Sequence, residues 1–124
     1  MRTSAAVLVL LLAGCMGSTQ TTLPPLPQDF TVTQPATLTA AEQASYTLAI
    51  QSGTHLNATL VWTSGENPLG LEVTAGGSGN QQGATQGTVS HLERDLYFGT
   101  WLLKVTGKPV KADTWHLEVH FTRA

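Results

Sequence analysis

The chain has 124 residues, enough for one domain, and only 11% of them are charged, against roughly 25% in an average soluble domain. Six Lys+Arg against eight Asp+Glu leave a net charge of −2, too few cations for a phosphate-tracking surface, so nucleic acid is excluded as a partner. A single cysteine excludes an internal disulfide framework and a multi-thiolate zinc site, and apolar residues recurring at strand spacing exclude wholesale disorder.

Residues 1–14 have the form of an export signal. Arg2 supplies a positive start, and Ala5 to Ala13 form an apolar run of signal-peptide length. A membrane-spanning helix needs about 20 apolar residues. Here the run stops at Gly14-Cys15, and polar Gly17-Ser18-Thr19 follow. An ordinary signal peptide with a cysteine by chance near its cut site is the plain alternative. Against it, the sole cysteine stands where the apolar run ends. Leu12-Ala13-Gly14-Cys15 resembles the lipobox of prokaryotic lipoproteins. The resemblance implies that the Cys15 thiol receives a diacylglycerol and that cleavage falls just before it. Cys15 then becomes the acylated first residue, and the protein is held in membrane lipid on the extracytoplasmic side of the cell envelope. Two or more acyl chains, at about 0.8 kcal/mol per buried CH₂, anchor stably without help from a basic patch.

Residues 15–28 read as the acylated cysteine and its tether. Met16 to Gln28 show no apolar period and carry prolines at 24, 25 and 27, which favour extended polyproline II structure. As a semi-rigid spacer this stretch would span on the order of 40 Å. Residues 29–124 form the domain. Phe30 to Thr33 make a short strand closed by Pro35, and Thr39-Ala40-Ala41-Glu42 has the form of a capping box, which predicts one helical turn. Ser45 to Gln51 alternate with Tyr46, Leu48 and Ile50 on one face. His55 to Thr63 place Leu56, Ala58, Leu60 and Trp62 inward, and Leu69, Leu71 and Val73 continue the phase after a turn at Ser64–Pro68. Gly76 to Gly87 read as a mobile loop, followed by a strand over Thr88 to Leu92 and a turn around Arg94-Asp95 running on towards Gly99. Thr100 to Thr106 bury Trp101, Leu103 and Val105, and Thr114 to Thr122 bury Trp115, Leu117, Val119 and Phe121. The result is an all-β chain, an antiparallel, jelly-roll-like β-sandwich of about seven to eight strands. Threonine on the outer faces explains how such sheets stay soluble with little charge.

Four segments, Leu60-Val61-Trp62, Leu69-Gly70-Leu71-Glu72-Val73, Gly99 to Val105 and Trp115-His116-Leu117-Glu118-Val119, resemble the prokaryotic pre-peptidase C-terminal domain family over about residues 45–121. That resemblance implies a small β-sandwich serving as an accessory or binding module, without catalysis of its own. Where many relatives carry an Asp-x-Asp pair after the tryptophan strand, this chain has Asn67-Pro68-Leu69-Gly70, so no calcium site carries over.

Among candidate sites, His116, Glu118 and His120 share one strand face by their spacing of two, opposite the tryptophan face, and adjacent imidazoles there could hold a divalent metal. The plain alternative is a half-polar outer face. His91, Glu93 and Asp95 straddle the expected strand end and turn, which makes them solvated turn charges, and His55 needs no special role. Gly76-Gly77-Ser78-Gly79 lacks the G-K-[ST] ending of a phosphate loop. As part of a loop on a rigid sandwich, Gly77, Ser78, Asn80 and Gln81 are instead candidate ligand contacts. Asn57-Ala58-Thr59 fits an N-glycosylation sequon, with Asn57 pointing outward. No G-x-S-x-G elbow occurs, and Cys15 is consumed by lipid. The sequence therefore implies no enzyme and no cofactor. It points to a lipid-anchored, extracytoplasmic, non-catalytic module whose partner is an envelope protein or glycan. The alternatives are a periplasmic metal-handling lipoprotein using His116 and His120, and a small lipid-anchored hydrolase. The three tryptophans are expected in the core, and Tyr97 and Phe98 partly exposed.

Overall fold

The computed structural model describes residues 23–75 and 80–124; the stretch read as an export signal, Cys15, Gly77 and Ser78 lie outside these described residues. Nine strands follow in chain order: β1 Phe30–Pro35, β2 Glu42–Ile50, β3 Thr54–Val61, β4 Gly70–Ala75, β5 Asn80–Gln82, β6 Ala84–Gln86, β7 Val89–Leu96, β8 Gly99–Thr106 and β9 Thr114–Arg123. All pairings are antiparallel. One sheet has the order β1-β9-β3-β7-β6 and the other β2-β8-β4-β5. The chain is an antiparallel β-sandwich, as the period-two pattern predicts.

The core forms where the inward residues of the two sheets meet. Leu56, Ala58 and Leu60 of β3, Leu92 and Leu96 of β7, and Trp115, Leu117 and Val119 of β9 face Leu48, Ile50, Leu71, Val73, Trp101, Leu103 and Val105 from the other sheet. All are buried, and each apolar side chain of this size contributes about 2 kcal/mol relative to an exposed position. The inward residues read from the alternation are the buried ones, with Tyr46 half-buried at the edge against Phe30, ring centroids 5.2 Å apart.

Three expectations are corrected. The helical turn at Thr39–Glu42 is absent: Ala40 N–H bonds to the Thr37 carbonyl in a tight turn, and Glu42 already belongs to β2. The Gln43 side chain ties this turn down instead, bonding both backbone groups of Thr37 and the carbonyls of Ala40 and Gly107. Arg94-Asp95 is not a turn, since β7 runs through to Leu96 and the chain bends at Tyr97-Phe98. Finally, the stretch read as a loop over 76–87 holds β5 and β6, one on the edge of each sheet, with Gly83 between them. Gly83 donates its N–H to the Leu71 carbonyl, and a Cβ there would stand 2.8 Å from Ser90 Oγ, so only glycine lets the chain cross so close to β7.

The register defines two ends of the sandwich. At one, Thr54 is level with Leu96 and Arg123, and Ile50 with Gly99. At the other stand Val61, Val89 and Thr114, together with the turns that follow β3 and β8. Arg123 Nη2 donates to the Pro24 carbonyl at 2.7 Å, so the tether meets the domain at the first of these, the tether end. Leu26 and Pro27 are half-buried, and the spacer therefore touches the domain before Gln28.

Candidate functional site

The outward positions of the five-stranded sheet bring together residues far apart in sequence. Alternation sends His55, Asn57, Thr59 and Val61 outward on β3, His91, Glu93 and Asp95 on β7, and His116, Glu118 and His120 on β9. Register then levels His55 with Asp95, Asn57 with both Glu93 and His120, Thr59 with both His91 and Glu118, and Val61 with His116. All four histidines of the chain lie on this face, with Asp29, Glu93, Asp95 and Glu118 among its eight carboxylates. No Lys or Arg holds an outward position on these strands.

The side chains bond chiefly to one another. His55 Nδ1 lies 2.7 Å from Asp95 Oδ1, and His55 Nε2 lies 2.9 Å from Glu93 Oε1. Only a doubly protonated ring donates from both nitrogens, and the hydrogen bonds to Asp95 and then Glu93 raise the His55 pKa above its ordinary 6.5. The other Glu93 oxygen meets His91 Nε2 at 2.8 Å, while His91 Nδ1 meets Thr59 Oγ1 at 3.0 Å. Bonding to His91 and His55 holds the Glu93 carboxyl below its ordinary value. On β9, His116 Nδ1 meets Thr33 Oγ1 at 2.8 Å, and Glu118 stands 3.8 Å from a ring nitrogen of His116 and of His120. His120 Nδ1 also lies 3.1 Å from Asp29, whose second oxygen accepts the Phe121 N–H at 2.9 Å. The Phe121 N–H and then His120 lower the Asp29 pKa, and Asp29 in turn raises that of His120.

His116, Glu118 and His120 thus share a face as their spacing predicts. Among the described residues, however, no three His, Cys, Asp or Glu side chains are arranged to hold a metal ion. The charges read as belonging to a turn, Glu93 and Asp95, are strand residues and partners of His55. Leu92 and Leu96 carry the alternation on either side of them, but Arg94 interrupts it between the two. Asn57 points outward from the central strand, half-buried between Glu93 and His120. Of the loop candidates, Asn80 bonds Glu72 across β4–β5, and Gln81 Nε2 reaches the Glu93 carbonyl at 3.1 Å. Both serve the fold in this structure. Beside β6, a shallow depression of about 510 Å³ is lined by Ala84, Thr85, Gln86, Val89 and His91.

A second polar cluster, at the far end, binds the turns together. Asp113 accepts N–H bonds from Thr63, Ser64 and Thr114, the Asn67 amide at 2.9 Å and, closest, the Thr63 hydroxyl. Burial alone would raise its pKa, but these donors outweigh it and hold the carboxyl far below the usual range. Asn67, buried, completes the tie by accepting from Val110 and Lys111 N–H.

The strands and their pairing define a class, the two-sheet antiparallel β-sandwich. Among solved structures, the chain is similar to the pre-peptidase C-terminal domain of a collagenase from Bacillus anthracis, with a TM-score of 0.57 over 77% of this chain and 90% of that one. At 13% identity the likeness is one of fold. No protein-family profile matches the chain, and no curated protein matches it either.

Proposed function

We propose that this protein is a lipid-anchored, extracytoplasmic, non-catalytic module that binds an envelope protein or glycan through the outer face of its five-stranded sheet. The carrying observation is the segregation of every histidine and half the carboxylates onto one exposed sheet face. Such a face suits docking rather than chemistry: its groups are spread over three strands and the residue before β1, and the depression beside them is shallow. The lipobox at Leu12–Cys15 supports the anchor, and the likeness to a pre-peptidase C-terminal domain agrees with a binding role.

Cys15→Ser should move the protein from the membrane pellet to the soluble fraction. Continued sedimentation of the variant would sink the anchor. Crosslinking on intact membranes should recover one partner with the wild-type chain and lose it with the His55→Ala/His120→Ala variant. No partner by crosslinking, together with flat binding on a glycan array, would sink the binding role.

A further inference from the structure

The corner where the chain passes from one sheet to the other has a separate character. Tyr97 and Phe98 join β7 to β8 at the tether end, 56% and 72% exposed, and Phe98 is the most exposed large hydrophobic among the described residues. The corner is braced from behind. Trp101 Nε1 donates to the Tyr97 carbonyl at 3.0 Å, the two rings meet edge to face with centroids 4.8 Å apart, and the Arg94 guanidinium lies 5.0 Å over the Trp101 ring. A rigid support thus holds the aromatic pair out in solvent, where its rings are free for a contact.

The path of the chain says what that contact is. The tether is pinned at this same end by Arg123, and Leu23, 60% exposed, stands beside it. The eight steps from Cys15 to Leu23 reach at most about 28 Å, whereas the ten residues of β9 alone span about 33 Å. A lipid on Cys15 therefore holds the tether end within about 28 Å of the bilayer and leaves the far end, with exposed Val110, free to stand farther off.

We infer that Tyr97 and Phe98 sit in the headgroup region of the anchoring membrane, with Leu23 at the same end of the sandwich and Arg123 supplying positive charge for anionic lipid phosphates. A tyrosine ring partitions into that layer with its body apolar and its hydroxyl wet, and a phenylalanine buries at the boundary of headgroups and acyl chains. The inference rests on the lipid-anchor reading. It sets the strands upright on the membrane and turns the histidine face sideways, open to a partner in the same envelope.

The test uses the processed, lipidated full chain in phosphatidylcholine/phosphatidylglycerol vesicles, with and without brominated acyl chains. Two exposed positions take a reporter: Phe98→Trp at the tether end and Val110→Trp at the far end. Fluorescence added at position 98, measured against wild type, should fall at least about two-fold on brominated lipid, while that added at 110 stays within about a tenth. If the acylated, vesicle-bound chain shows no quenching at 98, or more at 110 than at 98, the proposal is overturned and the anchor stands. If mass spectrometry finds no acyl group on Cys15, the anchor reading falls and takes the proposal with it.

Discussion

Two carboxylates, one at the far end of the sandwich and one in the middle of its open sheet face, illustrate two uses of polar groups. Asp113 spends its oxygens on backbone N–H groups of Thr63, Ser64 and Thr114 and on Asn67, joining the β3–β4 turn to the β8–β9 turn. Glu93 bonds only two imidazoles, His55 and His91, on an open sheet face. Backbone donors cannot move away without undoing a turn, so the bonds to Asp113 are structural. Imidazoles on a strand surface can rotate towards a partner, so the bonds to Glu93 are exchangeable. Charge is scarce in this chain, and the contrast shows that what remains is divided between holding the fold and furnishing a surface.

The comparison breaks if removing Asp113 is harmless. Asp113→Ala strands several donors at once, two of them, the Ser64 N–H and the Asn67 amide, partly buried, and the expected loss is about 2–3 kcal/mol. In a domain of this size that lowers Tm by roughly 10–20 °C, measurable by calorimetry. Because the Asp113 carboxyl is held below its ordinary 3.8, its contribution is present above that pH and is lost as pH falls through the folded value. A variant melting within a few degrees of wild type would show that the turns hold themselves.

Glu93→Ala sharpens the comparison from the other side. Exposed ion pairs contribute little to stability, so Tm should stay within roughly 3 °C of wild type. The partner recovered by membrane crosslinking should nevertheless be lost. A large fall in Tm would make Glu93 structural like Asp113 and remove the distinction.

How much of this was legible in the sequence follows from which interactions are local. The faces of β3 and β9 could be read directly, because Leu56-Ala58-Leu60 and Leu117-Val119-Phe121 alternate with polar residues without interruption. The continuation of β7 could not, because Arg94 occupies an inward position by laying its guanidinium on Trp101, where the pattern calls for an apolar residue. β5 and β6 are three residues each and rich in glutamine, too short for a period to show. The candidate face was half visible: His116, Glu118 and His120 share a strand, but His55 and His91 join them only because β3 lies between β7 and β9. That order is set by pairing between residues as far apart as Thr54 and Arg123, which no local pattern carries.

The smallest effect expected is also the most specific. His55 and His120 have pKa values raised by their carboxylate partners. Their contribution to stability is therefore full below the unfolded value of 6.5 and is lost as pH rises through the folded values. Glu93 and Asp29, lowered by their partners, contribute above their ordinary 4.5 and 3.8 and lose it as pH falls through the folded values. Between these limits Glu93 and Asp29 are ionised while His55 and His120 are charged, and above them those two histidines lose their charge with no lysine or arginine at an outward position to replace it. Proton NMR of the ring signals should place the His55 and His120 midpoints above 6.5, and Asp95→Asn with Glu93→Gln should bring His55 back towards that value. A His55 midpoint at or below 6.5 in the wild-type chain would show that the ring turns away from both carboxylates in solution. The face would then present independent side chains, and its binding would lose the pH dependence that the paired arrangement requires.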